Sequence, residues 1–370
     1  MSTCFDIQSS TGSYSVCIEV GLLEATLRQQ TSDVLIADEF FAAQLRAAGR
    51  EAITLLSNEN LKSLDAIPEL IISLRKFGAN RQTALIALGG GVVQDVVAFV
   101  ASIYMRGLKW TFLPSTLLAM VDSCIGGKSS INVGPHKNLI GTFHPPQSIL
   151  IDPRLALSLS DEQRISGLIE AVKICFCRGN DVFQEYIALR PSVTMSIDQL
   201  ERVVIRSLMA KKWFIESDEF DRSERLLLNF GHTFGHAIEG ASNFQISHGI
   251  GVAIGILCAI ELGRRMGRRY VGVARVRTLE EHLHSLLADV HWLRKELAEL
   301  SAKDILDRFE SDKKHGIDHY SIILVAESGA VEIVRLAKDE NSRQIIGRAI
   351  ENAFEAISSQ VRGVSKANEI

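Results

Sequence analysis

The chain lacks a dominant charge of one sign. It carries 40 lysines and arginines against 44 aspartates and glutamates, which gives a formal net charge of −4 without a long run of either sign. A protein that binds nucleic acid or an anionic membrane through its overall field needs a strong positive balance, so we expect neither partner. Any anionic ligand must be bound by basic side chains placed close to it.

Segments that direct a chain to a membrane are also missing. The N-terminus has no basic stretch followed by an apolar one, so we expect no secretory signal. The longest apolar stretch, 249–262, is too short to span a bilayer. Of the six cysteines only Cys175 and Cys177 are close together, at a spacing that suits zinc poorly. We expect reduced thiols and a cytoplasmic protein.

What is present is the composition of a globular protein, with 46% hydrophobic and 23% charged residues over 370 positions. Such a chain is long enough for two domains. In its first half, strand-like and helix-like segments alternate, which is typical of a parallel α/β unit that binds a nucleotide. The predicted strands are 34–39, 83–91, 110–116 and 148–153, and the predicted helices are 65–77 and 92–104.

After Pro153 the apolar residues repeat mainly at helical spacing. The helices predicted there are 161–178, 196–217, 226–240, 249–267, 273–286, 290–300 and 339–359. Two short apolar segments before the last helix indicate a hairpin that turns at Ser328 and Gly329. We therefore predict an α/β, Rossmann-like nucleotide-binding domain over residues 1–157 and a mainly α-helical, metal-binding domain over residues 158–370.

Three consecutive glycines, Gly89, Gly90 and Gly91, stand between a predicted strand and a predicted helix, with Asp95 four residues further on. Glycines at this place let the backbone approach a pyrophosphate, and the start of the helix offers free N–H groups. The spacing is not the G-x-G-x-x-G of the common dinucleotide fingerprint. By itself the motif fits either a nucleotide site or a tight turn.

His232 and His236 are four residues apart, so a helix places them on one face. Arg225 and Asn229 precede them at helical spacing, and we expect these two on nearly the same face. His248 opens a second predicted helix after a short loop, so it can reach the same point. Buried histidines need partners, and a divalent metal is a common one.

A carboxylate is needed to complete such a metal site. Glu170 lies in an apolar predicted helix, where an unpaired carboxylate is costly, and Lys173 follows one turn later. By itself a buried glutamate of this kind is more often paired with a lysine or arginine than bound to a metal, so both alternatives remain.

A third polar group follows the strand predicted at 110–116. It consists of Asp122, Lys128, Lys137 and Asn138, with Gly126-Gly127 allowing a tight backbone path. Lysine and asparagine side chains suit a phosphate. The alternative is a solvated loop with incidental lysines.

Taken together, these motifs resemble the 3-dehydroquinate synthases, a family of sugar-phosphate cyclases. The resemblance is dense over residues 83–255 and loose elsewhere. It rests on the segments GGGVVQDVVAF, YMRG, PSTLLAMVDSCIGGKSSIN, HKNLIGTFHPP, GLIEAVK and RLLLNFGHTFGHAIE.

The resemblance implies two cofactors, NAD and one divalent metal, zinc or cobalt. The metal ligands would be Glu170, His232 and His248. The residues that would hold NAD lie in the first domain and are Asp38, Glu59, Lys62, Gly89, Gly90, Gly91, Asp95, Ser115, Thr116 and Lys137.

The resemblance also implies contacts with a sugar-phosphate substrate. The catalytic residues would be Asp122, Lys173, Asn229 and His236. The phosphate would further meet Lys128, Asn138, Lys314 and, from a second subunit of a homodimer, Arg106. The substrate carboxylate would be bound by Lys211 and Arg225, whose interval of fourteen residues is the family's.

The implied enzyme is a carbon–oxygen lyase of the shikimate pathway of aromatic amino acid biosynthesis. It would convert 3-deoxy-D-arabino-heptulosonate 7-phosphate to 3-dehydroquinate and phosphate. NAD would take a hydride from the substrate, phosphate would leave by β-elimination, and the hydride would return before an aldol closure. NADH would therefore not accumulate.

The sequence departs from the family pattern at a few positions. Gln94 and Ala98 stand where glycine is usual, and Ile250 stands where a glutamate commonly follows the histidine-glycine pair. His136 is a feature of cyclases that act on sedoheptulose 7-phosphate. The alternatives are therefore a cyclase of secondary metabolism acting on an amino analogue, sedoheptulose 7-phosphate or glucose 6-phosphate, a metal-dependent polyol dehydrogenase, or an inactive paralogue.

Overall fold

The computed structural model describes residues 2–29, 31–134, 136–270, 273–312 and 314–364, with side chains in the last range described as far as residue 359. The chain divides into two compact units. The first comprises Met1–Gly167 and Met195–Phe220, and the second comprises Leu168–Thr194 and Asp221–Ile370. The sequence predicted a single boundary after residue 157. The chain instead returns to the first unit at Met195–Phe220, because the helix in that segment packs there.

The elements alternate between strand and helix up to about residue 160 and are mainly helical afterwards. The strands are β1 Thr3–Ser9, β2 Gly12–Ile18, β3 Val34–Asp38, β4 Ile53–Leu55, β5 Leu85–Gly89, β6 Trp110–Pro114, β7 Ile131–Val133, β8 His136–Ile140, β9 Ser148–Ile151, β10 His319–Val325 and β11 Val331–Ala337. The helices are α1 Leu22–Arg28, α2 Ala42–Ala47, α3 Ile67–Lys76, α4 Gly91–Ile103, α5 Asp161–Arg178, α6 Asn180–Ala188, α7 Ile197–Ser217, α8 His232–Ala241, α9 His248–Arg265, α10 Ala274–Ala288, α11 Leu293–Glu299, α12 Ala302–Glu310 and α13 Glu340–Val364.

The first unit is built on a seven-stranded sheet in the order β1-β2-β9-β6-β5-β3-β4. Only β1 and β2 pair antiparallel, and the remaining pairs are parallel. From β3 the chain proceeds to β4 on one side, and from β5 it proceeds through β6 to β9 on the other. The order of the strands therefore reverses between β3 and β5, which is where open α/β sheets bind their ligands. The predicted α/β fold class is confirmed.

The outer edge of this sheet is strand β1, and side chains from α7 and the turn after it bind its backbone. The ammonium of Lys212 donates to the carbonyl of Asp6 at 2.5 Å, and the amide of Gln8 donates to Glu216 at 2.9 Å. Just beyond the strand, the amide of Ser10 donates to Glu219 at 2.7 Å. Backbone groups that a neighbouring strand would otherwise bind are thus already bonded.

The β1–β2 hairpin carries a disulfide between Cys4 and Cys17. The two residues are direct partners in the antiparallel ladder, and their Cα atoms are 4.2 Å apart. The expectation that all six cysteines are reduced is therefore wrong for this pair. The sequence did not show it, because the strand pairing that places the thiols together was not predicted. The other four cysteines are free thiols.

The second unit is mainly helical, as predicted, with the β10–β11 hairpin as its sheet. Its central helix is α9, which is apolar on all sides and buried almost throughout. α8 crosses it closely at glycines. A Cβ added to Gly255 would lie 2.0 Å from the carbonyl oxygen of Gly231. Among the described helices, none combines the length and the apolar character needed to cross a membrane.

Candidate metal centre and cofactor edge

Three potential metal ligands meet in the second unit. Glu170 lies in α5 and is fully buried, while His232 and His248 are the first residues of α8 and α9. The Nε2 atoms of His232 and His248 lie 3.7 Å and 3.6 Å from Oε1 of Glu170. Ligand atoms held at about 2.0–2.2 Å around one tetrahedral ion are roughly 3.4 Å from each other. These three atoms can therefore share one divalent ion with little movement.

The two oxygens of Glu170 have different surroundings. Oε2 accepts a short hydrogen bond from the ammonium of Lys173, one turn along the same helix. Oε1 is buried and has no hydrogen-bond partner among the described residues. A buried carboxylate oxygen without a partner is costly, and a cation at this point would remove the cost. The simple lysine pair weighed for Glu170 therefore accounts for one oxygen only.

The far nitrogens of both histidines are already bonded, which orients the rings. Nδ1 of His248 donates to Oε1 of Glu239 at 2.9 Å, since a carboxylate can only accept. Nδ1 of His232 lies 3.3 Å from the carbonyl oxygen of Phe230. Each ring therefore directs Nε2 towards Glu170, as metal-binding histidines commonly do. Sequence reasoning missed Glu239, which lies two helical turns after His232.

Burial and charge set the protonation of these rings. Burial lowers the pKa of His232 well below its usual range, and the charge of Lys173 adds to this. Burial acts on His248 in the same direction, but the hydrogen bond and charge of Glu239 outweigh it and raise that pKa. His232 is therefore neutral at neutral pH, the form that binds a metal.

His236 belongs to the same cluster. Ring nitrogens of His232, His236 and His248 all lie within 4.8 Å of one another, so the three histidines form a second possible ligand set. We favour the set with Glu170, because the shorter separations and the unbonded Oε1 belong to it. His236 is exposed to solvent on one side, yet desolvation by the groups packed around the ring, followed by the charge of Lys314, lowers its pKa to about 4. The ring is therefore neutral at neutral pH and can exchange hydrogen bonds with a substrate.

The predicted helix 226–240 is wrong in its first part. The segment Glu224–Asn229 is a 3₁₀ turn, and Gly231, with a φ of 80°, separates it from α8. The cause is the close approach to α9, since a Cβ on Gly231 would lie 2.7 Å from the carbonyl of Val252. Arg225 and Asn229 therefore do not share a helix face with the histidines. Asn229 instead accepts a hydrogen bond from Lys314 at 3.1 Å, and Arg225 is buried.

In the first unit, the residues assigned to NAD follow the carboxyl ends of adjacent parallel strands. Gly89 ends β5, Gly90 precedes α4 and Gly91 begins it. A Cβ on Gly90 would lie 2.9 Å from a methyl carbon of Thr116, so this position leaves no space for a side chain, whereas Gly91 lies in open space. The start of α4 has no side-chain cap among the described residues, and its N–H groups suit an anion.

A carboxylate and a lysine face each other beside this turn. Oδ2 of Asp95 lies 2.7 Å from Nζ of Lys62, and both side chains are largely buried. Burial raises the pKa of Asp95 to about 6, although the charge of Lys62 lowers it. Asp38, at the end of β3, accepts a hydrogen bond from the amide of Phe40 at 2.9 Å.

A side chain that sequence reasoning missed, Asn132, links two of the predicted groups. It donates to Glu59 at 2.7 Å and accepts from the backbone amide of Asn138 at 2.9 Å. Lys137 also approaches Glu59, at 3.6 Å. The backbone amide of Asn132 also donates to the backbone carbonyl of Lys62 at 2.8 Å. Loop residues far apart in sequence are thus fixed together by a short polar side chain.

Asp122 lies in a π-helical turn, Ala119–Ser123, after Ser115 and Thr116. Its Oδ1 is 2.9 Å from Nζ of Lys211 in α7. The structure thus brings Lys211, assigned to the substrate carboxylate, against Asp122. The glycine pair Gly126-Gly127 has positive φ at both positions, which forms the tight path predicted there.

The two basic residues of the predicted site not yet described, Lys128 and Arg106, lie at irregular backbone positions. Lys128 forms a single bridge with Phe143, and its ammonium is 5.9 Å from the centre of that ring. Arg106 is exposed and has a φ of 73°, directly after Met105 with a φ of 52°. Two consecutive non-glycine residues in the left-handed region are strained, and such strain is concentrated at functional sites.

Comparison with known proteins agrees with this architecture. Residues 52–166 match the family model described as "3-dehydroquinate synthase N-terminal", and residues 167–315 match "3-dehydroquinate synthase C-terminal". A curated 3-dehydroquinate synthase of Dictyoglomus turgidum is 36% identical over 83% of this chain and 85% of its own length.

Solved structures show the same fold at lower identity. A 2-deoxy-scyllo-inosose synthase, complexed with carbaglucose-6-phosphate, NAD+ and Co2+, has a TM-score of 0.82 and 23% identity over 95% of this chain and 99% of its own. A 2-epi-5-epi-valiolone synthase of Streptomyces hygroscopicus, with NAD+ and Zn2+ bound, has a TM-score of 0.74 and 23% identity over 94% and 97% of the two chains.

The matches define the class of fold first: it is the fold shared by 2-deoxy-scyllo-inosose synthase and 2-epi-5-epi-valiolone synthase. The family follows from the two matching models and the curated relative. The chain belongs to the 3-dehydroquinate synthase family.

Proposed function

We propose that the protein is a 3-dehydroquinate synthase. It converts 3-deoxy-D-arabino-heptulosonate 7-phosphate to 3-dehydroquinate and phosphate, with NAD and one zinc or cobalt ion. The observation that carries the proposal is the buried Oε1 of Glu170, which has no hydrogen bond and lies within 3.7 Å of two oriented histidine nitrogens. Family membership supplies the substrate class, since the curated relative has this name.

Glu170, His232 and His248 would hold the metal, and the turn Gly89–Gly91 with Asp95 would hold NAD. When bound, NAD accepts a hydride and returns it, and the ion polarises the hydroxyl that is oxidised. Each set of residues offers groups that bind its cofactor. The first offers one carboxylate and two imidazoles, and the second offers uncapped N–H groups beside a turn without side chains.

The remaining cofactor residues would line NAD along the same strand ends. Asp38 follows β3, and Glu59 and Lys62 follow β4, so they suit the nucleotide part of the cofactor. The others assigned to NAD are Ser115, Thr116 and Lys137.

The chain's own residues would orient the substrate. Asp122 and Lys173 would bind the hydroxyls around the reacting carbon. Neutral His236, with Asn229 and Lys314 bonded to each other beside it, would hydrogen-bond the phosphate. The substrate's own phosphate would remove the proton in the β-elimination, so these groups need only position and neutralise it.

Further basic residues would complete the recognition of the two anionic groups. Lys128 and Asn138 would bind the phosphate, and Arg106 of a second subunit would reach the same group in a homodimer. Arg225 would grip the carboxylate through its planar fork, with Lys211 assisting. The strained backbone at Arg106 supports a functional role for this residue.

The test is phosphate release with NAD present over a panel of sugar phosphates: the heptulosonate 7-phosphate, its amino analogue, sedoheptulose 7-phosphate and glucose 6-phosphate. We expect phosphate release from the heptulosonate without net NADH. Preference for a sugar lacking the carboxylate would assign the chain to a secondary-metabolism cyclase. Net NADH formation with a polyol would identify a dehydrogenase, and no turnover with metal and NAD present would indicate an inactive paralogue.

A further inference from the structure

The segment that carries Asp122 is bonded by side chains from other elements. Residues 119–123 form a π-helical turn, a rare feature that is frequent at functional sites. Each exposed carbonyl then needs another partner. In this protein, side chains of α7 and α4 donate to carbonyls of the segment, and Tyr14 of β2 accepts from the backbone amide of Gly126 at 3.0 Å.

Helix α7 binds two parts of the segment. Ser207 donates to the carbonyl of Val121 at 3.0 Å. The ammonium of Lys211 donates to the carbonyl of Asp122, to the carbonyl of Ile125 at 3.2 Å, and to the Asp122 carboxylate at 2.9 Å. These contacts fix both the backbone and the side chain of Asp122.

Gln94 of α4 supplies a further contact to this segment, at Ser123. Its Nε2 donates to the carbonyl of Ser123 at 2.6 Å, and its Oε1 accepts from the hydroxyl of the same residue, also at 2.6 Å. The glutamine is 3% exposed, so water does not compete for either bond. A paired amide of this kind defines the distance and the orientation of the residue next to Asp122.

Gln94 lies in the first turn of α4, between Gly91 and Asp95. Its backbone amide donates to the carbonyl of Gly90 at 3.0 Å. The first turn has no side-chain cap among the described residues, so a phosphate bound there would order it. The side chain of Gln94, which lies in this same turn, then bonds to Ser123. Two hydrogen bonds thus join the glycine turn to the segment of Asp122.

We propose that Gln94 is a positioning residue that couples NAD binding at the glycine turn to the placement of Asp122. The coupling rests on the proposed function, because NAD must bind this turn and Asp122 must contact the substrate. Gln94 itself touches neither. It orders residues 119–126 when the first turn of α4 is ordered.

The first test measures backbone amide exchange with and without NAD. In the unaltered protein, NAD is expected to slow exchange in residues 89–95 and in residues 119–126. In Gln94→Leu, which keeps the side-chain volume but not the amide, residues 89–95 should still be protected while the NAD effect at 119–126 disappears. Equal protection of both segments in this variant would overturn the coupling. Absence of protection at 89–95 in the unaltered protein would instead overturn the proposed NAD site.

Ser123→Ala removes the hydroxyl bond from the other side and serves if Gln94→Leu does not fold. It should reduce the NAD effect at residues 119–126, and an undiminished effect would contradict the proposal. The matched control is Gln147→Leu, which removes an amide bonded to Thr111 at 3.3 Å in the same unit and should leave both effects unchanged.

The second test is kinetic. Gln94→Leu should lower kcat between about 10-fold and 100-fold, the cost of a misplaced contact, while the KM for NAD changes little. In an Asp122→Ala background the same substitution should cause no further loss, because its effect acts through Asp122. A loss of the same size in both backgrounds would show that Gln94 has only a structural role.

Discussion

At the scale of single residues, the orientation of the metal ligands depends on side chains that the motifs do not contain. Ile250 stands where the resemblance leads us to expect a glutamate, yet Nδ1 of His248 is bonded, because Glu239 of α8 accepts from it. The resemblance implied the three ligand positions, and their burial favours a metal site because an unpaired carboxylate is costly in an apolar environment. It did not identify Glu239, because the partner depends on how α8 and α9 cross.

Removing this partner should weaken metal binding. We expect Glu239→Ala to lower metal affinity about 10-fold to 100-fold, the usual effect of losing such a partner. Glu281→Ala, at an exposed glutamate of α10 paired with Arg277, is the control and should change nothing. Titration of the metal-free protein with zinc or cobalt measures both variants. Unchanged affinity in Glu239→Ala would mean that His248 is oriented by other contacts.

The raised pKa of Asp95 predicts a pH dependence of NAD binding. Burial raises this pKa to about 6, so the carboxylate form is present above that value and lost below it. NAD affinity should therefore fall as the pH is lowered through about 6, and Asp95→Asn should remove this dependence. Because the charge of Lys62 lowers the pKa, Lys62→Met should move the midpoint to higher pH. Calorimetric titrations from about pH 5 to about pH 8 provide the measurement, and a flat profile would contradict the assignment.

At the scale of elements, glycines decide how α8 and α9 of the second unit pack together. Gly231, with a φ of 80°, directly precedes α8, so His232 is the first residue of that helix, and Gly255 lets α9 contact Gly231. Periodicity predicted most helices within a few residues but extended the helix at 226–240 across Gly231. It also missed the β1–β2 and β7–β8 hairpins, because strand propensity depends on the surrounding packing, which periodicity does not contain.

This packing gives a stability prediction. Gly255→Ala places a Cβ 2.0 Å from a backbone oxygen, which cannot move away as a side chain can. We expect a loss of about 1–3 kcal/mol or more in the free energy of unfolding, with weaker metal binding. Gly347→Ala in α13 is the control, since its Cβ would be 3.8 Å from the nearest atom outside its own helix, in Leu306. That variant should gain up to about 1 kcal/mol from helix propensity. Denaturant unfolding compares the two.

At the scale of the whole molecule, the proposed homodimer gives a complementation test. If Arg106 completes the site of a second subunit, Arg106→Ala and His236→Ala are each inactive alone. A mixed dimer then has one intact site, with His236 from one chain and Arg106 from its partner. Equal amounts refolded together should recover about a quarter of the normal activity. No recovery, with mixed dimers present by mass, would show that Arg106 serves its own chain.

The covered edge of the first sheet has a consequence for self-association. A free strand at a sheet edge can template amyloid-like growth between copies at high concentration. Lys212, Glu216 and Glu219 already occupy backbone groups along and just after β1, and the opposite edge, β4, is three residues long. We therefore expect these three charged side chains to oppose fibril formation. Replacing all three with alanine should leave the fold intact and shorten the lag time of aggregation in concentrated solution.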